Sequence, residues 1–269
     1  VDTIIIGQLG QAHLIASVGL GAIIMSSLFW MFGFLRMGTT GLTSQAIGAD
    51  SKEEDSFVLL RGLLIAFVGG VIIWVIGIPF LLAIFMVFPG EDLIEFFASD
   101  YAKIRLCSAP VAIALIPITG WLIAHERTDQ VFFLQLFANM TNLILNLLFV
   151  MVFEWGVHGI ATSTVISEIS CLFLGLYFCK KVFGWDLIFD YPLLFNKVAW
   201  IKLLSINRDI FIRSLILQLS IFGSIFFSAT YGTVVLAANQ LLLQFLLLSS
   251  YILDGFAFAA EVLVGVALG

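Results

Sequence analysis

Long, uncharged apolar runs dominate this chain and leave few folds open to it. Residues 63–88, "LLIAFVGGVIIWVIGIPFLLAIFMVF", carry no Asp, Glu, Lys or Arg. As a helix that length crosses the roughly 30 Å hydrocarbon core of a bilayer. Backbone polar groups in lipid must be satisfied within the segment, which selects helices over open strands. The whole chain follows the same pattern: 61% of its residues are hydrophobic and 11% charged, against roughly 25% charged in soluble domains. Its mean hydropathy is +1.13. The expected fold is an all-α, polytopic membrane bundle.

At about 20 apolar residues per span, the sequence predicts a partial first helix ending near Leu9. Further helices follow near 14–47, 57–88, 99–125, 129–153, 157–180, 207–231 and 235–265. The 14–47 segment is too long for one straight span and contains Gly33, Gly38 and Gly41, so it is expected to bend or to extend beyond the hydrocarbon. Val1–Ile6 is too short to cross, and no Met opens the chain, so the sequence reads as starting inside a helix and truncated at both ends. The longest break in apolarity, 182–206, reads as a cytoplasmic linker between an N-terminal lobe (1–181) and the start of a second lobe (207–269). Sliding the chain on itself by 222 residues pairs Gly10, Leu14, Ala16, Ser27, Gly33 and Phe34 with Gly232, Leu236, Ala238, Ser249, Gly255 and Phe256. That is a weak repeat of the kind transporters are built from, or a chance match of two Gly- and Leu-rich helices.

Lys52, Arg61, Arg127, Lys180, Lys181, Lys197, Lys202, Arg208 and Arg213 gather at alternate loops, which places those loops in the cytoplasm. Lys103 and Arg105 are exceptions, and Arg36 reads as the only basic residue well inside a span. The net charge of −6 and the lack of a basic block argue against a nucleic-acid partner. Cys107, Cys171 and Cys179 show no metal spacing and read as packing residues. His125 and His158 read as solvated loop residues and His13 lies next to a loop, too scattered for a metal cluster.

Polar side chains inside a span are costly, so their spacing is informative. Gln135, Asn139, Asn142 and Asn146 recur at intervals of four, three and four, on one helical face. Interhelical hydrogen bonding explains any single one of them; four in register favour a cavity wall. Asp2, Asn146 and Thr164 each lie eight residues from an outer boundary at Gly10, Glu154 and Gly156, roughly 12 Å deep at 1.5 Å per residue. A carboxylate with amide and hydroxyl oxygens holds a hard cation such as Na⁺ or carries a proton. The competing reading makes Asp2 a helix cap or a headgroup-level residue. Glu168, near mid-membrane, is either a second proton site lining the cavity or a hydrogen-bonded packing residue. On the last span Asp254 and Glu261 share a face with Gln240, Gln244 and Tyr251. With Arg36 and Arg213 at similar depth, they are expected to pair across helices as an inner gate, with snorkelling helix-end charges as the alternative.

Six segments together resemble the multidrug and toxic compound extrusion (MATE) family, and within it the DinF branch: "VDTIIIGQLG", "GTTGLTSQAIGA", "NMTNLILNLLFV", "GVHGIATSTVISE", "LAANQ" and "LDGFAFAAEVLVGVALG". They run in order along nearly the whole chain. The resemblance implies a non-enzymatic antiporter with two six-helix lobes. It would export organic, often cationic or amphipathic compounds against H⁺ or Na⁺ by alternating access, as a monomer in the inner (plasma) membrane, surrounded by lipid and without a cofactor. This chain would supply the first lobe and two helices of the second.

The family's cation site in the first lobe uses an Asp on the first helix, an Asn and an Asp on the fifth, and a Thr on the sixth. The motifs carry these onto Asp2, Asn142, Asn146 and Thr164. Asn146 stands where an Asp is expected, which removes a negative charge and turns the expectation from a tightly bound Na⁺ toward a proton. The acidic residue of the NorM branch on the seventh helix has no counterpart in "SLILQLS". A lipid-linked oligosaccharide flippase of the same broad superfamily is the rival; its pyrophosphate substrate would call for several cations in the cavity. An intramembrane enzyme would need a nucleophile or metal constellation at matching depth, and the sequence offers none.

Overall fold

The structure is a computed structural model that describes residues 2–8, 11–87, 91–183 and 194–269. Every regular element among them is helical. A short α1 (Asp2–Gly7) leads into α2 (Ala12–Trp30), which passes through one 3₁₀ turn (Met31–Gly33) into α3 (Phe34–Gly48). The α2–α3 pair is a single 37-residue unit, and the expected irregularity is that turn. Next come α4 (Lys52–Val87), α5 (Asp92–Cys107), α6 (Ala109–Ala124) and α7 (Thr128–Asn146), which ends in a π turn (Leu147–Val152). The series closes with α8 (Gly156–Phe183), α9 (Lys197–Thr230) and α10 (Thr233–Leu268).

Five of these units are long and apolar enough to cross a membrane, and α5 with α6 makes a sixth, bent by 56°. Pro110 explains the bend. It sits in the first turn of α6 and cannot donate to the carbonyl four residues back, so the helix cannot run through. Ser108, at the corner, closes it locally by donating to the Arg105 carbonyl at 2.9 Å. Gly232, between α9 and α10, has φ 103°, a conformation open to glycine and costly for residues with a Cβ.

Two expected helices differ, the one at 99–125 beginning at Asp92 and breaking at Ser108. The helix expected at 207–231 begins at Lys197, because Asn196 caps it. Its Oδ1 accepts the backbone N–H of Val198 at 2.9 Å and of Ala199 at 3.4 Å. The added turns bury Leu203 against Leu42 and Val58. The part of the expected linker at 184–193 lies outside the described residues.

The helices pack as α4 and α3 on α6, α2 on α5, α8 on α5 and α7, and α10 and α9 on α3. Thr40 on α3 donates to the Gly120 carbonyl at 3.0 Å, and a Cβ at Gly120 would collide with the Arg36 backbone. One apolar core joins α1, α2, α4, α5 and α8 through Ile6, Val18, Met25, Leu81, Leu106 and Ile160. Outward-facing residues are also apolar, including Phe67, Ile72, Val75 and Ile76 on α4, a surface that suits lipid rather than water.

Candidate functional site

Three helices meet around Asp2. Its Oδ1 accepts from Asn146 Nδ2 of α7 at 2.9 Å, and its Oδ2 accepts from Thr164 Oγ1 of α8 at 3.4 Å. Tyr101 of α5 adds its hydroxyl, 3.4 Å from Oδ2. Behind this ring, Asn146 Nδ2 also donates to Asn142 Oδ1 at 3.0 Å, and Asn142 Nδ2 donates to Thr164 Oγ1 at 3.0 Å. Ser163 donates to Asn146 Oδ1. Asn142, Asn146 and Ser163 are buried and Asp2 is half-buried. The π turn starts directly after Asn146, and such turns often accompany functional sites.

Asp2, Asn142, Asn146 and Thr164 are thus brought together, while Tyr101 and Ser163 were missed. Ser163 had a readable signal, adjacency to Thr164 in "ATST"; Tyr101, from a different helix, had none. The polar stripe on α7 divides by burial: Asn142 and Asn146 turn inward, and Gln135 and Asn139 are exposed. Asn139 Nδ2 donates to the Gln135 carbonyl at 2.8 Å. A cavity of about 510 Å³ lies elsewhere, between α2, α4 and α9, against Ser27, Met31, Phe80, Phe211 and Ser214. Gln135, Asn139 and Glu168 do not line it.

Glu168 is not a lone carboxylate. Arg105 donates to it through both ends of its fork, Nη1 to Oε2 at 2.6 Å and Nη2 to Oε1 at 2.8 Å. Arg105 Nη1 also reaches Ser108 Oγ at 2.9 Å. Arg105 is 7% exposed, so Arg36 is not the only basic residue inside a span. The missed signal was the pairing rule itself: a buried carboxylate calls for a buried cation, and Arg105 was the unexplained exception in the loop charges. Arg105 follows Tyr101, and Glu168 follows Thr164, by four residues. The ion pair therefore lies one helical turn from the Asp2 ring.

Among the described residues Arg36 has no ion pair within 4 Å; its Cζ stacks 3.9 Å from the centroid of the Phe258 ring. Asp254 and Glu261 act on it electrostatically. Arg213 Nη2 lies 3.4 Å from Met37 Sδ. His125 is not solvated: its ring lies 4.0 Å from Trp121 and its Nε2 is 3.0 Å from Asp55 Oδ2. No group of three or more His, Cys, Asp or Glu fit to hold a metal ion occurs among the described residues.

The chain is 37% identical to the DNA damage-inducible protein F of Escherichia coli (strain K12), over all of this chain and 59% of that protein. It is 24% identical to the multidrug export protein MepA of Staphylococcus aureus, over 87% of this chain and 52% of that one. The chain thus spans little more than half the length of these relatives. Among solved structures, an outward-facing multidrug resistance MATE family transporter of the MOP superfamily superposes with a TM-score of 0.82. Its identity is 18%, over 98% of this chain and 58% of that one. The MatE family profile matches residues 1–148. That match takes in α1 to α7, including Asp2, Tyr101, Asn142 and Asn146, and with it the chain belongs to the MatE family.

Proposed function

We propose that the protein is a secondary active antiporter that exports organic, cationic or amphipathic compounds by alternating access. The counter-ion is H⁺, with Na⁺ the second choice, and the setting is the inner (plasma) membrane, where it acts as a monomer. Residues 1–181 form the first lobe and 207–269 open the second. The observation that carries this reading is the Asp2 carboxylate held by donors from α5, α7 and α8.

A carboxylate only accepts hydrogen bonds, and a proton turns one of its oxygens into a donor. The Tyr101 and Thr164 hydroxyls can rotate to accept that proton; the Asn146 amide N–H cannot. Loading Asp2 therefore rearranges the contacts of α1 with α5, α7 and α8, and an exchange of a few kcal/mol suffices to shift a two-state equilibrium. Na⁺ fits less well. The ring offers one carboxylate, and Asn146 turns its NH₂ toward Asp2 while its oxygen accepts from Ser163. The names of relatives that export multiple drugs support the substrate class. A flippase for pyrophosphate-linked sugars finds no support in Arg105, because Glu168 engages both ends of its fork.

The test is efflux of a fluorescent organic cation from proteoliposomes under a proton or a sodium gradient, for wild type and Asp2→Asn. Proton-driven efflux that disappears in the variant is the expected result. Efflux indifferent to both gradients and to the substitution would overturn the proposal.

A further inference from the structure

We propose that the face of α10 formed by Asp254, Phe258 and Glu261 is a binding site for an organic cation, and that Arg36 of α3 occupies it as a built-in competitor. This deepens the export reading and rests on that reading for its role in transport.

The spacing comes first. Asp254, Phe258 and Glu261 are four and three residues apart, which stacks them on successive turns of one helical face. An aromatic ring is thereby flanked above and below by a carboxylate. A cation already sits there, with Arg36 Cζ 3.9 Å from the Phe258 centroid and within the field of both carboxylates. Neither carboxylate closes on the guanidinium within 4 Å among the described residues. The grip is by ring face and field rather than by a directional fork. That kind of site tolerates planar or quaternary cations that have no N–H groups to donate.

The charge balance fits one such ligand. Arg213 of α9 acts on Glu261, so α9 and α10 bring two carboxylates and one guanidinium to this region. Counted as formal charges, these groups leave one negative charge over when Arg36 withdraws.

Withdrawal requires α3 to part from α10. The two helices touch along small residues. A Cβ at Gly265 would collide with Ser44, one at Gly48 would run into the Val266 backbone, and one at Gly41 would lie 3.5 Å from Glu261. The 510 Å³ apolar cavity reaches Met31, five residues before Arg36, and Ser214, next to Arg213. It offers room for the apolar body of an amphipathic cation. A cation that enters while α3 is apart is displaced when Arg36 returns to the ring, which couples closure of this seam to release.

Equilibrium binding of tetraphenylphosphonium to the detergent-solubilised protein tests this without any gradient, so its failure is distinct from a failure of coupled efflux. Removing the competitor in Arg36→Gln should tighten binding by about tenfold. Phe258→Ala and the double variant Asp254→Asn/Glu261→Gln should weaken it by about tenfold, with Phe258→Trp retaining it. Binding of a neutral dye should not change in any of them. Each variant is scored at an unchanged melting temperature, and Arg36→Lys, which keeps the charge, should not tighten binding. Unchanged or weaker binding in a folded Arg36→Gln protein, or wild-type affinity in the double variant, overturns the proposal.

Discussion

Asn146 on α7 donates its side-chain amide to Oδ1 of Asp2 on α1 at 2.9 Å, across 144 positions of sequence. The Asn supplies a donor where a second carboxylate would supply charge. Asn146→Asp should therefore create a cation site. NaCl, compared with choline chloride, should raise the melting temperature of the variant by the equivalent of about 1–3 kcal/mol and leave wild type unmoved. Equal responses of the two proteins would show that position 146 does not set ion choice.

Ser163 and Tyr101 reach the same ring with different consequences. Ser163→Ala leaves the buried Asn146 Oδ1 without the donor that reaches it from Ser163, at a cost of about 2 kcal/mol. Tyr101→Phe keeps the buried ring and loses one long bond of 3.4 Å, worth about 1 kcal/mol or less. Thermal unfolding in detergent should rank Ser163→Ala as the more damaging; the reverse order would mean that the Tyr101 hydroxyl carries the ring.

Arg105 and Glu168 invite a double-mutant cycle. Glu168→Gln strands the buried Arg105 guanidinium and should cost about 3–5 kcal/mol, and Arg105→Gln, which leaves the half-buried Glu168 unpaired, should cost less. Arg105→Gln/Glu168→Gln should cost less than the sum of the single changes, and Arg105→Lys should recover only part of the loss, because it lacks the fork that meets both oxygens. Strict additivity of the two single changes would mean that the pair is not coupled.

Two glycines give opposite expectations for the same substitution. A Cβ at Gly48 meets the Val266 backbone, whereas one at Gly33 meets nothing within 4 Å, and Gly33 has ordinary helical angles, φ −54° and ψ −24°. Gly48→Ala should lower the melting temperature by forcing α3 away from α10. Gly33→Ala should leave it unchanged or raise it by up to about 1 kcal/mol of stability. A tolerated Gly48→Ala would place α10 farther from α3.

Much of the architecture is legible in the residues because a helix in lipid must be apolar over its whole crossing length. That requirement separates the spans and places a break such as the one at Gly232, whereas the 56° bend inside the segment read as one helix at 99–125 escaped it. Helical periodicity likewise marks the α7 stripe. Period identifies a face, however, and not what the face meets, so Asn142 and Asn146 turn inward while Gln135 and Asn139 on the same stripe remain exposed.

The sequence by itself determined an all-helical membrane bundle, its MATE likeness and a common depth for Asp2, Asn146 and Thr164, since depth follows from counting residues at a constant rise per residue. Only the tertiary structure decided the lateral partners: Tyr101 against Asp2, Arg105 on Glu168 and Arg36 over Phe258. The physical reason is that sideways contacts depend on how closely and at what angle helices cross. Here the bend at Pro110 and the backbone-to-backbone approaches at Gly48 and Gly120 set those crossings, and residue spacing along one helix carries no record of them.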